Sequence, residues 1–256
     1  MASLLHGKRA LILGVANDYS IAWGITKLLK EHGAAVALTY MNEAIEKRVR
    51  PLAEEVQADF VAEMDVAKDE HYPALAKTVE SHWPKFDILV HSLAFAPRED
   101  LQVPFTDTSR KGFQVACDIS AFSLIGLCHA LRPLMNPGAS VMAMTYRGSQ
   151  HVIPGYKIMG VAKAALEASV RYLADDLGPS DIRVNAISSG PIKTLAASGV
   201  GVRSMGKTIE EQAPLRRKVL QTDIGGAAVY LSSDLSRNVT GQVLYVDAGA
   251  SIIAPF

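Results

Sequence analysis

Only two of the 256 residues are cysteine. Cys117 and Cys128 lie eleven residues apart in one apolar, helix-like segment, too distant to bridge each other. No Cys/His cluster has metal-ligand spacing, so no metal is expected and both thiols are predicted to pack in the core. Net charge is also lacking: Lys+Arg and Asp+Glu number 26 each. That balance gives no reason to expect nucleic acid or an anionic membrane as partner. No uninterrupted apolar run approaches the ~20 residues of a membrane span, so no membrane insertion is expected. The opening stretch, MASLLHGKRALILG, does not have a signal-peptide layout, because His6, Lys8 and Arg9 interrupt its short apolar run. A cytoplasmic address follows by default. Internal repeats, low-complexity tracts and Pro/Gly/Ser-rich linkers are missing too, which predicts one domain over residues 1–256.

What the chain does have is alternation. Short apolar, β-branched runs read as strands over 9–15, 35–40, 59–66, 86–92, 140–146, 183–189 and 242–249. Segments of helical period lie between them, near 21–32, 43–57, 69–82, 108–135, 156–178 and 222–233. Strands apolar along their whole length imply a parallel sheet covered on both faces. With right-handed crossovers the prediction is an α/β fold: a doubly wound, Rossmann-like sheet of about seven strands. One stretch breaks the rhythm. Residues 190–220, rich in small, glycine and basic side chains, sit between the sixth and seventh strands. An insert at that edge of such a sheet reads as a substrate-binding lid, with a functionless surface excursion as the alternative.

The first strand runs into Gly14-Val15-Ala16-Asn17-Asp18-Tyr19-Ser20-Ile21 and then a helix, the place where this fold receives a pyrophosphate. The common G-x-G-x-x-G is missing. Gly14 suits the tight turn, small Ala16 allows close approach, and Ser20 stands where a helix cap would sit and can add a hydroxyl donor. The second strand ends Thr39-Tyr40-Met41-Asn42, with neither an acid for ribose hydroxyls nor an arginine for a 2′-phosphate. That absence favours NADH over NADPH, although Lys47, Arg48 and Arg50 on the next helix keep NADPH open. Asp65-Val66 closes the third strand, where the carboxylate can accept from an adenine amino group or cap its own turn. Ser92-Leu93-Ala94 closes the fourth at the level of the riboses.

The most informative run is Tyr146-Arg147-Gly148 through Tyr156 to Lys163. Seven residues at ~100° each return Lys163 to the helix face of Tyr156, roughly 10 Å further along. A phenol and an ammonium on one stripe can polarise a carbonyl oxygen and hold a polar cofactor beneath it. A tyrosine and lysine sharing a face by accident is the plain alternative. Ordinary short-chain dehydrogenases space the pair as Tyr-x3-Lys, and here Gly160 occupies that fourth position. Two histidines invite a rival reading: His91, before Ser92, as a general base or a loop support, and His151, between the tyrosines. The loop support is preferred for His91.

Taken with Gly14…Ser20-Ile21-Ala22, Asp65-Val66, His91-Ser92-Leu93-Ala94-Phe95-Ala96 and Gly190-Pro191-Ile192-Lys193-Thr194-Leu195-Ala196, the Tyr-x6-Lys spacing resembles the bacterial NADH-dependent enoyl-acyl-carrier-protein reductases, a divergent branch of the short-chain dehydrogenase/reductases. The resemblance covers essentially the whole chain. It implies that Tyr156 binds a thioester carbonyl, that Lys163 binds the nicotinamide ribose, and that Tyr146 lies beside the substrate. Ala96 and Met159 would line the acyl site. Gly14, Ala16, Ser20, Ile21, Met41, Asp65, Val66, Ser92, Leu93, Ala94, Gly190, Pro191, Ile192, Thr194, Leu195 and Ala196 would surround the cofactor. It further implies acyl-carrier protein as partner and a homotetramer joined through the last strands and two long helices. Some positions depart from the family's habit: Arg147, Ser189, Ala248 where a glycine is usual, and Gly201-Val202-Arg203-Ser204 in the lid. Arg203, Lys207, Arg216 and Arg217 either face the acidic carrier or form a solvated basic face. A reductase of ketones or 3-oxoacyl groups is the first rival, disfavoured by the missing Tyr-x3-Lys and by Ala143 where a serine would be expected. A non-catalytic NAD(H) sensor is the second.

Overall fold

A computed structural model describes residues 3–192 and 211–253. Seven parallel strands form one sheet in the order β3-β2-β1-β4-β5-β6-β7. They are β1 (Arg9–Leu13), β2 (Ala35–Tyr40), β3 (Val61–Glu63), β4 (Phe86–His91), β5 (Met135–Thr145), β6 (Arg183–Ser189) and β7 (Val243–Val246). β4 and β6 are buried at every position because both faces of the sheet are covered, and their few polar residues, such as Asp87 and Asn185, are hydrogen-bonded. One face carries Leu11, Leu89, Val141 and Val184 against α3 (His71–His82), α6 (Ser123–Leu131) and α7 (Ile158–Leu177). The other carries Ile12, Val36, Val90 and Ile187 against α1 (Ile21–Glu31), α2 (Glu43–Glu55) and α8 (Gln221–Ser232). Every buried leucine or valine in these layers contributes ~1.5–3 kcal/mol.

Strands β3 and β7 are shorter than the predicted 59–66 and 242–249, and three other elements differ in kind or start. Residues 108–135 do not make one uniform α-helix. After a short α4 (Arg98–Gln102), α5 (Arg110–Cys117) starts on Ser109, whose hydroxyl accepts from the Gly112 amide at 2.9 Å. A π turn over Asp118–Phe122 then joins it to α6, and a 3₁₀ turn over Arg132–Leu134 ends the run. The whole stretch, Arg110–Leu134, is long and apolar enough to cross a bilayer by length and composition alone. Counting uninterrupted apolar runs misses it, because Asp118, Ser120, Ser123 and His129 break the run without breaking the helix. Here it packs against α3 and α7. Second, β5 begins at Met135, five residues early, with a register shift against β4 between Phe86 and Ile88.

Third, the long helix begins at Ile158, so Tyr156 lies in the turn ahead of it. Gly155 at φ 80° and Lys157 at φ 44° hold backbone angles no helix contains. The helical-wheel argument for Tyr156 and Lys163 therefore does not apply. Tyr156 belongs to a turn and Lys163 to the buried face of the helix, so the two share no helical stripe. The buried face of α7 runs Ile158, Met159, Ala162, Lys163, Leu166, Glu167, Val170 and on to Leu177. Two charged residues on that face are the anomaly that leads to the site.

Candidate active site

Parallel strands all end on the same edge, and the crevice opens where the strand order reverses, between β1 and β4. Gly14 follows β1 at φ 103°. A Cβ there would sit 2.1 Å from the Ser92 carbonyl oxygen, so only glycine lets the β1 turn lie against the end of β4. The Ser92 amide donates to the Leu13 carbonyl at 3.1 Å and seals the approach. Ser20 corrects its prediction: it occupies the cap position but makes no side-chain cap bond to α1. Its hydroxyl turns back into the loop, accepting from the amides of Ala16 (3.0 Å) and Asn17 (3.2 Å) and donating to Asn17 Oδ1 (3.3 Å). Those two amides are thereby spoken for within the turn.

Further along the edge, Met41 is half exposed and Ile21 partly buried. Asp65 Oδ1 accepts from the Ala67 amide at 3.1 Å, which is the turn-capping arrangement, while Val66 is buried and its carbonyl accepts from the Tyr72 phenol at 2.8 Å. Leu93 is partly buried and Ala94 exposed. Gly190, Pro191 and Ile192 follow β6 into the crevice, and a Cβ on Gly190 would lie 2.7 Å from the Val219 side chain. Lys193, Thr194, Leu195, Ala196 and the lid residues through 210, among them Arg203 and Lys207, lie outside the described residues.

The reaction end is built from three segments. Lys163 is 4% exposed, and its ammonium donates to the Met144 carbonyl at 2.7 Å and the Leu93 carbonyl at 3.3 Å. It is thereby tied to the ends of β5 and β4. Burial draws its pKa down to about 8, with the nearby Glu167 carboxylate opposing that fall. The rings of Tyr146 and Tyr156 meet edge to face, centroids 5.0 Å apart at 68°. Burial raises both phenols above their ordinary range, and Arg147 partly offsets the rise at Tyr146. Both therefore keep their protons at neutral pH and are hydrogen-bond donors. The Tyr146 hydroxyl is buried with no partner among the described residues. Gly148 and Gly160 make the interlock: a Cβ on the first would stand 2.4 Å from the Tyr156 ring, and on the second 2.6 Å from the Gly148 carbonyl oxygen. Position 160 thus has no room for the lysine of a Tyr-x3-Lys pair.

His91 is fully buried, its Nε2 within 2.7 Å of the Ser123 hydroxyl. Burial and then the Lys163 charge lower its pKa to about 3, so it is a neutral ring bracing α6 and not a base. His151 is exposed on the loop. Beside Tyr156 lies a small apolar cluster of Ala96, Ala116, Ile158, Met159 and Ala162, with Leu101 and Val161 against it. Two features escaped the sequence. Glu167 accepts hydrogen bonds from Thr145 and Ser149 on either side of Tyr146. Lys157 holds a left-handed φ next to Tyr156, and its ammonium donates to the Val103 carbonyl across the mouth. Nothing in residue type betrays either; a glutamate and a lysine on a helix read as solvent-facing. Among the described residues no group of three His, Cys, Asp or Glu is placed to hold a metal.

The sheet order and the tyrosine–lysine pair at its carboxyl edge define a short-chain dehydrogenase/reductase. A family model described as Enoyl-(Acyl carrier protein) reductase matches residues 14–251. Within that class, the chain belongs to the enoyl-acyl-carrier-protein reductase family. It is 50% identical over 251 residues to the NADH-dependent enoyl-acyl-carrier-protein reductase FabI of Rickettsia typhi, covering 98% of this chain and 96% of the relative. FabI of Nostoc sp. is 49% identical over 253 residues, covering 97% of this chain and 98% of the relative. Among solved structures, the Bacillus cereus enoyl-acyl carrier protein reductase with NADP+ and an indole naphthyridinone superposes at TM-score 0.96, with 46% identity and 100% coverage of both chains. The Anaplasma phagocytophilum reductase in complex with NAD gives TM-score 0.95 and 42% identity, covering 100% of this chain and 98% of that one.

Proposed function

We propose that this protein reduces the trans-2 double bond of enoyl thioesters on acyl-carrier protein with NADH, the last reductive step of type II fatty-acid elongation. The observation that carries the reading is the pair of protonated phenols, Tyr146 and Tyr156, packed edge to face, with the buried Lys163 ammonium tied to the Met144 carbonyl two residues before Tyr146. The residues fit a nicotinamide cofactor: Gly14 lets the β1 turn pack against the end of β4 at the strand-order switch, and the Lys163 ammonium donates to the Leu93 carbonyl, in the segment proposed to face the riboses. Gly14, Ala16, Ser20, Ile21, Met41, Asp65, Val66, Ser92, Leu93, Ala94, Gly190, Pro191 and Ile192 line that edge as proposed cofactor contacts. Thr194, Leu195 and Ala196 are proposed with them from the sequence. When bound, the dihydronicotinamide supplies hydride to the β-carbon of the enoyl group.

The protein's share is electrostatic. As hydride arrives, charge moves to the thioester oxygen. Tyr156, with Tyr146 beside it, donates a hydrogen bond there, stabilising the developing enolate more than the neutral ground state. Burial strengthens that bond and keeps the phenol protonated. Protonation at the α-carbon completes the saturated acyl group. Ala96 and Met159 belong to the apolar cluster beside Tyr156, which suits the acyl chain.

Cofactor choice follows from charge. Glu43 pairs with Lys47 at 2.8 Å and Glu46 with Arg50, so two of the three cations after β2 are already engaged, leaving Arg48 for a 2′-phosphate. That favours NADH. Self-association, expected to be a homotetramer, is supported by exposed Phe113, Phe122 and Ile125 on the Arg110–Leu134 run and Tyr172 on α7. Arg216 and Arg217 are exposed and are proposed to meet the acidic carrier. A cytoplasmic location completes the proposal. The test is loss of NADH and NADPH absorbance with enoyl thioesters of several lengths. NADH-dependent turnover supports the reading; turnover of 3-oxoacyl thioesters alone overturns it, as does tight NADH binding without turnover.

A further inference from the structure

Glu167 is a charged side chain that the reaction just described does not use. It sits on the buried face of α7, one turn beyond Lys163, and is 4% exposed. A carboxylate so placed is costly unless its oxygens are hydrogen-bonded, and an apolar side chain would fill the same space without that cost. Its bonds are specific. Oε1 accepts from Thr145 Oγ1 at 2.7 Å and from Ser149 Oγ at 2.6 Å, and Oε2 accepts from Gln150 Nε2 at 3.4 Å. Thr145 immediately precedes Tyr146 and Ser149 follows it by three residues. One side chain on α7 therefore grips both ends of the segment that carries the phenol. Hydrogen bonds to an ionised acceptor are roughly twice as strong as neutral ones, which suits a clamp. The same segment is braced elsewhere by Arg147 Nη1 on the Ala250 carbonyl (2.8 Å) and by Gly148 against the Tyr156 ring.

We propose that Glu167 is a positioning residue: through Thr145, Ser149 and Gln150 it holds Tyr146 edge-on to Tyr156, and so sets how the two phenols converge on the substrate oxygen. The inference rests on the functional reading above and assigns it a residue outside the reacting set. The surroundings of Glu167 give it a second, separable effect. The ionisable groups that feel its charge are Lys163 one turn earlier on α7, Tyr156 in the turn ahead of that helix, and Tyr245 on β7; Tyr146 and Arg147 lie in the segment it holds, Lys163 in turn acts on His91, and Asp247 acts on Tyr245. Glu167 is the one that raises the Lys163 pKa against its burial. Removing its charge lets the Lys163 ammonium lose its proton at a lower pH.

The experiment compares Glu167→Gln with wild type, alone and in a Tyr146→Phe background. In the wild-type background kcat is expected to fall about 10- to 100-fold, the range for a reacting group displaced by about an ångström. In the Tyr146→Phe background the same change is expected to cost less than about twofold in kcat, because the residue it positions has lost its donor. Equal costs in both backgrounds overturn the proposal, and so does a folded Glu167→Gln enzyme with wild-type kcat. A reduced melting temperature with unchanged kinetics is that second outcome. Should Glu167→Gln not fold, Ser149→Ala removes one donor and leaves the carboxylate. It is expected to lower kcat several-fold, the loss vanishing with Tyr146→Phe; wild-type kcat in this variant overturns the proposal. NADH binding against pH needs no substrate. Its alkaline limb is expected to move to lower pH in Glu167→Gln and to stay put in Ser149→Ala, and an unmoved limb in the first variant removes the link to Lys163. A wild-type protein that binds NADH but leaves enoyl thioesters untouched overturns the functional reading instead, and the alkaline limb still reports on Glu167.

Discussion

The two ends of the crevice solve their polar problems in opposite ways. At the nucleotide end the turn closes on itself: Ser20 satisfies the amides of Ala16 and Asn17, Asn17 Oδ1 accepts from the Tyr19 amide at 3.0 Å, and Gln221 Nε2 donates to the Ser20 carbonyl at 2.7 Å. At the reaction end the bonds are left open. Tyr146 Oη, Arg147 Nε and His91 Nδ1 are three of the four buried side-chain polar atoms without a partner among the described residues. Strain gathers on the same side, with Lys157 at φ 44° beside Tyr156. The difference teaches that a cofactor cleft can be made by backbone shape alone. A reacting group, by contrast, must be buried and kept from its natural partners, so that a substrate oxygen completes it.

If that contrast is right, losing a donor at the reaction end should hurt the rate more than anything else. Tyr156→Phe is expected to lower kcat about a hundredfold to a thousandfold with NADH binding little changed, measured by steady-state NADH oxidation and by fluorescence titration. A loss of cofactor affinity as large as the loss of rate would erase the distinction between the two ends. Shape should matter most at the other end. Gly14→Ala places a Cβ 2.1 Å from the Ser92 oxygen at φ 103° and is expected to cost about 3 kcal/mol in stability, read from denaturant melts, with NADH binding weakened. Unchanged stability there would mean that the close approach of β1 and β4 is not what forms the cleft.

Acid should probe the buried ring behind the reaction end. The folded chain holds His91 down to about 3, against 6.5 when unfolded. Between those values the unfolded chain binds a proton that the folded one refuses, so stability falls as pH drops through that window and is fully present above it. His91→Gln is expected to flatten this slope in urea midpoints taken across the range; an identical slope in the variant would assign the acid lability to other groups. The smallest effect belongs to a departure from the family's habit. Ala248 stands at φ 57°, where a glycine carries no steric cost. Ala248→Gly is expected to stabilise the fold by about 1 kcal/mol, or roughly 2–4 °C in melting temperature, with kinetics unchanged. A melting temperature that falls would show that the alanine methyl contributes packing outweighing its backbone strain.

The sheet was legible because strands buried on both faces are mostly apolar, as in RALIL and AVALTY; the bounds of β6 were readable to the residue although Arg183, Asn185, Ser188 and Ser189 are polar. The parallel, doubly wound character of the sheet followed from handedness and alternation rather than from any single residue. Gly14 and Ser20 were readable as positions, but the direction of the Ser20 hydroxyl was not, since a cap and an inward loop bond use the same residue type. Tyr146, Tyr156 and Lys163 stood out by residue type, while the turn that carries Tyr156 was hidden, because Lys157 is no glycine. Glu167 was invisible for a related reason. Its partners, Thr145 and Ser149, are eighteen or more residues away in sequence, and only packing α7 against the end of β5 brings them to it.

The π turn over Asp118–Phe122 carries a consequence for insertions and deletions. A π turn holds one residue more than an α turn, so it can be regarded as an inserted residue absorbed without breaking the helix. Deleting one position there would restore an ordinary helix and improve its local hydrogen bonding. Everything downstream would then rotate by about 100° relative to the sheet. Ser123 would leave His91, Ser120 would leave the Phe95 backbone, and Leu124, Leu127 and Leu131 would turn off the core. The helix is therefore locked in length, and a chain one residue shorter at this point would have to rebuild the wall of the site along with it.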